Sequence, residues 1–134
     1  MENCLFCKIV ARQIPAEIVY ENEEVLAFLD INPVSKGHTL IIPKRHAQDL
    51  SAGSVEDAEA IMRAAHLLGG TLMKTLNATG YNLGMNHGED AGQEVMHTHL
   101  HVMPRYAGDA RAFIKMHPSK EELREIAELI RNQA

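Results

Sequence analysis

The chain has 134 residues, 46% hydrophobic and 23% charged. That is an ordinary globular balance for one folded core, expected as a single domain over 1–134, and short for two. Thirteen basic against eighteen acidic residues give a net charge of −5, which excludes the basic face of a nucleic-acid binder but leaves room for a small phosphate-bearing ligand.

No segment approaches the roughly 20 apolar residues of a membrane span. Met1-Glu2-Asn3-Cys4 has no basic region leading into an apolar run, so no signal peptide is read there. No membrane association and a cytoplasmic location are expected.

In chain order, the first feature is the pair Cys4-x-x-Cys7. A structural disulfide is disfavoured in a reducing cytosol. A thioredoxin-type pair would follow a strand and open a helix. Half of a zinc site fits better, and it needs two further ligands. Lys8 to Gln13 reads as a short helix closed before Pro15. Ile18-Val19-Tyr20 and Val25 to Leu29 read as a hairpin about the acidic turn Glu21 to Glu24. Asp30-Ile31-Asn32-Pro33 breaks the pattern. His38 to Ile42, between Gly37 and Pro43, is a continuous apolar run and predicts a central strand covered on both faces.

Ser54, with Asp57 three residues on, opens a long helix to about Leu76 through a variant of the capping box. Tyr81 to Met85 predicts a fourth strand, Gly88 to Gly92 a loop, and His97 to Met103 a fifth strand ended by Pro104. Ser119 with Glu122 caps a last helix, with Leu123, Ile126, Ala127 and Ile130 on one face. The expected class is α+β: an antiparallel sheet of about five strands, one long inserted helix and a carboxy-terminal helix.

The chemistry concentrates in His97-Thr98-His99-Leu100-His101. On a strand, alternate side chains share a face. The three imidazoles therefore form a row, with Leu100 and Val102 turned to the core and His99 exposed to a pocket. Cα atoms two apart on a strand lie roughly 6.6 Å from each other and four apart roughly 13 Å. Two neighbours can share a zinc, while all three would be at the limit of reach. Cys4, Cys7 and two histidines, with His46 and one of the row as candidates, would complete a closed tetrahedral site; two buried thiols with an unrelated histidine are the alternative. Upstream of the row, Gly92 permits unusual backbone angles and close approach of a ligand to main-chain N–H groups. Gln93 and Asn86 add amide donors suited to a phosphate beside His99.

Gly92-Gln93-Glu94-Val95-Met96-His97-Thr98-His99-Leu100-His101-Val102 resembles the signature of the histidine-triad (HIT) superfamily. Val25 to Pro33 and Gly37 to His46 resemble two further blocks of that family, and the likeness runs from about Cys4 to Pro104. The resemblance implies a HIT-like fold. It also implies hydrolysis or transfer at the α-phosphate of nucleoside phosphoramidates or dinucleoside polyphosphates, through a nucleotidyl-histidine intermediate. It assigns the attack to His99, phosphate contacts to His101, Gln93 and Asn86, the ribose hydroxyls to Asp30, and a place beside the base to Ile31. Glu94 and Val95 fall in the same nucleotide-binding stretch. Structural zinc on Cys4, Cys7, His46 and His97, a purine nucleotide substrate and a homodimer are likewise implied. One departure is Glu94, where phosphoramidate-cleaving members carry Ser or Thr; a carboxylate accepts and does not donate at neutral pH. Two other readings are a zinc-dependent hydrolase with metal-activated water and a non-catalytic nucleotide-binding protein.

Overall fold

The computed structural model describes residues 3–133. Met1 and Glu2, at the start of the stretch read for a signal peptide, and Ala134 lie outside the described residues. The elements are α1 (Leu5–Val10), β1 (Ile18–Glu21), β2 (Val25–Leu29), β3 (Thr39–Pro43), α2 (Val55–Leu76), β4 (Gly80–Gly84), β5 (Leu100–Arg105) and α3 (Lys120–Gln133), with a 3-10 turn at Glu89–Ala91. The strands form one sheet in the order β1-β2-β3-β5-β4, every neighbouring pair antiparallel. Sheet and helices together make the expected α+β architecture.

β2 and β3 are buried along their whole length. Their unbroken apolar runs follow from that, because each face of the sheet is covered. Val25, Ala27, Leu29 and Ile41 pack with Leu100 and Val102 beneath α2 and α3. Leu26, Phe28, Leu40 and Ile42 point the other way, toward Phe6 and Ile9 of α1. Leu68 and Leu72 of α2 are fully enclosed, so truncating either to Ala would cost about 2–5 kcal/mol.

Three local expectations are corrected. The first helix runs Leu5–Val10 and not Lys8 to Gln13, because Cys4 is its N-cap: its Sγ accepts from the Cys7 N–H at 3.4 Å. Six residues are too few to hold a helix alone; buried Phe6 and Ile9 keep it in place. The fifth strand begins at Leu100, leaving His97 and His99 on a lead-in that bends at His97, where the His97 N–H donates to Val95 O and the Thr98 N–H to Ala47 O, each at 2.9 Å. It also continues through Pro104 to Arg105, since β3 pairing stops at Val102 and a proline beyond that point interrupts no β3 ladder. At α2, Ser54 Oγ accepts from the Asp57 N–H, but the Asp57 carboxylate binds Arg45 instead of turning back. The reciprocal box does form at α3, between Ser119 and Glu122.

Candidate active site and metal centre

Strand alternation selects what the α1 face of the sheet carries. Leu26 and Phe28 lead to Asp30; Ile42 and Leu40 lead back to His38; His101 lies opposite both Leu40 and Gly84. The apolar end of this face packs on α1, and the polar end forms the site.

At the α1 end, Cys4, Cys7, His46 and His97 bring their ligand atoms within 4.8 Å of one another. His97 Nε2 lies 2.8 Å from Pro43 O, a carbonyl that only accepts, so Nε2 holds the proton and Nδ1 is left with its lone pair. That Nδ1 lies 3.4 Å from Cys4 Sγ and 3.6 Å from Cys7 Sγ, and His46 Nδ1 lies 3.3 Å from Cys7 Sγ. Zinc–sulfur and zinc–nitrogen bond lengths at a tetrahedral angle place S and N about 3.5 Å apart. The donor set and its spacing therefore fit a closed Cys2His2 zinc site. The Pro43 carbonyl that orients the His97 ring is the outer-shell partner such a ligand needs.

Beyond it, His99 Nδ1 donates to the His97 carbonyl at 2.7 Å. The proton is thereby fixed on Nδ1, and Nε2 keeps its lone pair. The Phe6 ring stands edge-on to His99, with centroids 5.1 Å apart. His99 is only 7% exposed, which corrects the expectation of an exposed pocket histidine: the ring is sandwiched between Phe6 and His101.

His38 orients the next imidazole. The Val34 N–H, which can only donate, points at His38 Nδ1 at 3.1 Å. His38 Nε2 therefore carries the proton and donates it to His101 Nδ1 at 2.9 Å. This leaves His101 Nε2 as an N–H donor. Burial is the main cause that pushes His38 down to about 3 and His101 down to about 4, so both rings are neutral near pH 7. Asp30 Oδ2 lies 3.7 Å from His38 Nε2, and its Oδ1 accepts from the Asn32 N–H at 2.8 Å. Burial raises the Asp30 carboxyl above its ordinary range. Asp30, His38 and His101 could also surround a cation, but the two ring nitrogens that face each other are already joined by the hydrogen bond.

The Gly88–Val95 loop frames the cavity. Gly92 takes φ 96, open to glycine at little cost, and a Cβ there would press on the Asn86 amide at 3.4 Å. Asn86 Nδ2 donates to Gly92 O. The Gln93 amide is engaged throughout: Oε1 accepts from the Gly88 N–H, and Nε2 donates to Gln48 O and Val95 O. Gln93 thus shapes the loop. Among the described residues the N–H groups of Glu94 and Val95 meet no acceptor. Ile31 is 67% exposed at the tip of the turn after β2.

A cavity of about 320 Å³ joins Asp30, His38, Asn86, Gly92, Glu94 and His101, and its outer wall is Phe113 and Lys115. Three of the shaping residues, Phe6, His38 and Lys115, have no role in the sequence reading. Their signals were faint: an aromatic inside the C-x-x-C turn, a polar residue two before a buried strand position, and a cation in a segment without periodicity.

Residues 11–108 match the HIT domain family. An uncharacterised HIT-like protein of Methanocaldococcus jannaschii is 46% identical over 110 residues, 79% of this chain and 81% of that protein. A Zn-bound histidine triad family protein of Mycobacterium smegmatis has a TM-score of 0.91 at 37% identity, covering 98% of this chain and 93% of that one. An adenylylsulfatase of Arabidopsis thaliana is 37% identical over 107 residues, 80% of this chain and 54% of that protein. The match of sequence and fold over most of its length shows that the chain belongs to the HIT, or histidine-triad, family of nucleotide-binding hydrolases and transferases.

Proposed function

We propose that the protein cleaves purine nucleotides at the α-phosphate, with nucleoside phosphoramidates or dinucleoside polyphosphates as substrates, through a covalent intermediate on His99. The observation that carries this reading is the fixed pair of ring tautomers. The His97 carbonyl leaves His99 Nε2 with a lone pair, and the Val34–His38 chain gives neighbouring His101 an outward N–H. A nucleophile thus stands beside a donor for the phosphoryl oxygen.

In the first step the His99 Nε2 lone pair forms a bond to phosphorus. The bond from phosphorus to the leaving group breaks, and its electron pair departs with that group; an amine also takes up a proton from solvent. His101 Nε2–H and the N–H groups of Glu94 and Val95 face the charge on the phosphoryl oxygens. In the second step water attacks phosphorus, the Nε2–P electron pair returns to the ring, and one water proton goes to solvent. The product is a nucleoside monophosphate. Asp30 accepts from the ribose hydroxyls, Ile31 lies beside the base, Asn86 contacts phosphate, and Gln93 holds the loop that carries these groups.

Cys4, Cys7, His46 and His97 would hold zinc, which cross-links α1 to the histidine row. Four protein donors fill a tetrahedral shell, which favours this reading over a zinc-activated water. A reducing cytoplasm suits free thiols as ligands. The edge strand β4, with Leu83 exposed, supports a homodimer in which the sheet continues into a second copy.

The test is to quench turnover of 32P-labelled substrate and map the labelled peptide. Label on His99 is expected. Because His99 is buried, both His99→Ala and His99→Gln are needed, with folding checked by thermal melts. Label on another residue, or undiminished turnover by either folded variant, would overturn the assignment.

A further inference from the structure

The segment after β5 has no regular structure, yet it is tied down at both ends. At its start, the buried Arg105 donates from Nη1 to Ala112 O at 3.0 Å and sits 4.9 Å from the centroid of the Phe113 ring. Tyr106 Oη donates to Lys36 O at 2.7 Å. At its far end, the Met116 N–H donates to Pro33 O at 2.7 Å, and His117 Nδ1 meets Asn32 Oδ1 at 3.2 Å. The chain between these anchors contributes Phe113 and Lys115 to the wall of the histidine cavity.

The charge balance of that wall is informative. It contains two carboxylates, Asp30 and Glu94, and its histidines are neutral. Among the described residues that line it, Lys115 is the one fixed cation. Its charge disfavours protonation of His38 and His101 and favours ionisation of Asp30, so it acts on each of these groups across the cavity. Its partner is Glu94, 3.5 Å away, with both side chains more than half exposed. Such a pair is weak and exchanges readily. A more highly charged anion entering the cavity can take the place of the Glu94 carboxylate.

We infer that Lys115 is a specificity-determining residue for the leaving group, and that it directs the enzyme toward substrates whose leaving group is an anion. This rests on the reaction proposed above. When His99 Nε2 bonds to phosphorus and the P–O bond breaks, the electron pair departs on the leaving oxygen. A phosphate, nucleotide or sulfate leaves as a stable anion and needs no proton at that moment. What it needs is a positive charge beside the oxygen where charge accumulates, and the Lys115 ammonium supplies it. An amine leaving group takes a proton from solvent as the P–N bond breaks, departs uncharged, and gains little from Lys115.

The experiment compares kcat/KM for three probes: diadenosine tetraphosphate, adenylyl sulfate and the propylamidate of AMP. Lys115→Gln should lower the value about tenfold for the first two, as expected for loss of one charge-assisted contact, and less than twofold for the amidate. Lys115→Arg should restore most of the loss. Raising the salt concentration should depress only the anion-leaving reactions of the wild type. A drop confined to the tetraphosphate, or to the sulfate, would support the role and identify which anion the site takes. Equal losses on all three probes would overturn it and make Lys115 a support of the segment. Unchanged turnover of the tetraphosphate and sulfate would overturn it too, as would wild-type activity on the amidate alone. Wild-type protein inactive on every probe would sink the proposed reaction itself, and this inference with it.

Discussion

The direction of a single proton on each imidazole governs what the site can do. His97, His99 and His101 are chemically identical side chains, and their backbone partners give them three different reactive edges. Pro43 O turns His97 Nδ1 toward the thiols, His97 O leaves His99 Nε2 bare, and Val34 N–H acts through His38 to make His101 Nε2 a donor. The same reasoning applies to Asp30. One oxygen holds the turn through the Asn32 N–H, and the other lies 3.7 Å from His38 Nε2, on a residue that lines the cavity. A carboxylate that accepts from both ribose hydroxyls would make binding selective for ribose. Losing that charge-assisted contact costs roughly 1.5–3 kcal/mol, or about 10- to 150-fold in Kd. AMP should accordingly bind more tightly than its 2′-deoxy analogue in calorimetric titration, and Asp30→Ala should abolish the difference. Equal affinity of the wild type for both would remove Asp30 from this role.

Among the elements, α1 is held by the packing of Phe6 and Ile9 and also carries two of the candidate metal ligands, Cys4 at its N-cap and Cys7 within it. Its N-cap is a zinc-ligand candidate, Phe6 within it buttresses His99, and six residues contribute little helical stability of their own. Purified protein should contain about one zinc per chain in four-fold coordination, measurable by metal analysis and X-ray absorption. Chelation, or Cys7→Ser, should lower Tm by several degrees and loosen Phe6. Activity should then fall secondarily through His99, without direct loss of nucleotide binding. Metal-free protein with an unchanged Tm would refute the structural role. The elements also show what was legible in the sequence. The apolar runs of β2 and β3 and the capped periodicity of α2 and α3 carry local signals. Of the cysteine–histidine quartet only the C-x-x-C pair is local, His97 as its fourth member being implied by the family resemblance, and the structure places the four ligand atoms within 4.8 Å of one another. The start of β5 was not legible, because alternation persists through His97 and His99 while ladder pairing does not. Nor was α1, where a cysteine caps the helix in place of Ser or Asp. The segment carrying Lys115 is defined only by distant contacts, Arg105 to Ala112 and Met116 to Pro33, which no local pattern encodes.

For the molecule as a whole, the neutral His38–His101 pair couples the site to global stability. In the unfolded chain both rings would titrate near pH 6.5. In the folded state burial pushes them down to about 3 and about 4. Between those values and pH 6.5 the unfolded state binds more protons than the native state, so stability falls as the pH falls. Each ring contributes at most about 1.4 kcal/mol per pH unit within that window. Asp30 opposes this at the acid end: burial raises its folded pKa, so its protonation is easier in the native state and recovers a little stability near pH 4. The hydrogen-bonded acids Glu21, Asp109 and Glu122, each held below its ordinary value, add to the loss as the pH falls through their ordinary range toward their lower folded values. The wild type should therefore be flat from pH 8 to 7 and lose Tm steadily from about 6.5 to 5. Protonation of the zinc ligands acts in the same window, so the decisive quantity is a difference between variants. His38→Gln removes one of the two depressed histidines and leaves the Cys2His2 set intact. Its Tm should lie below that of the wild type at pH 8, and the gap should narrow on acidification to pH 5. Parallel Tm curves for the two proteins across that range would show that the buried pair is not the source of the acid sensitivity.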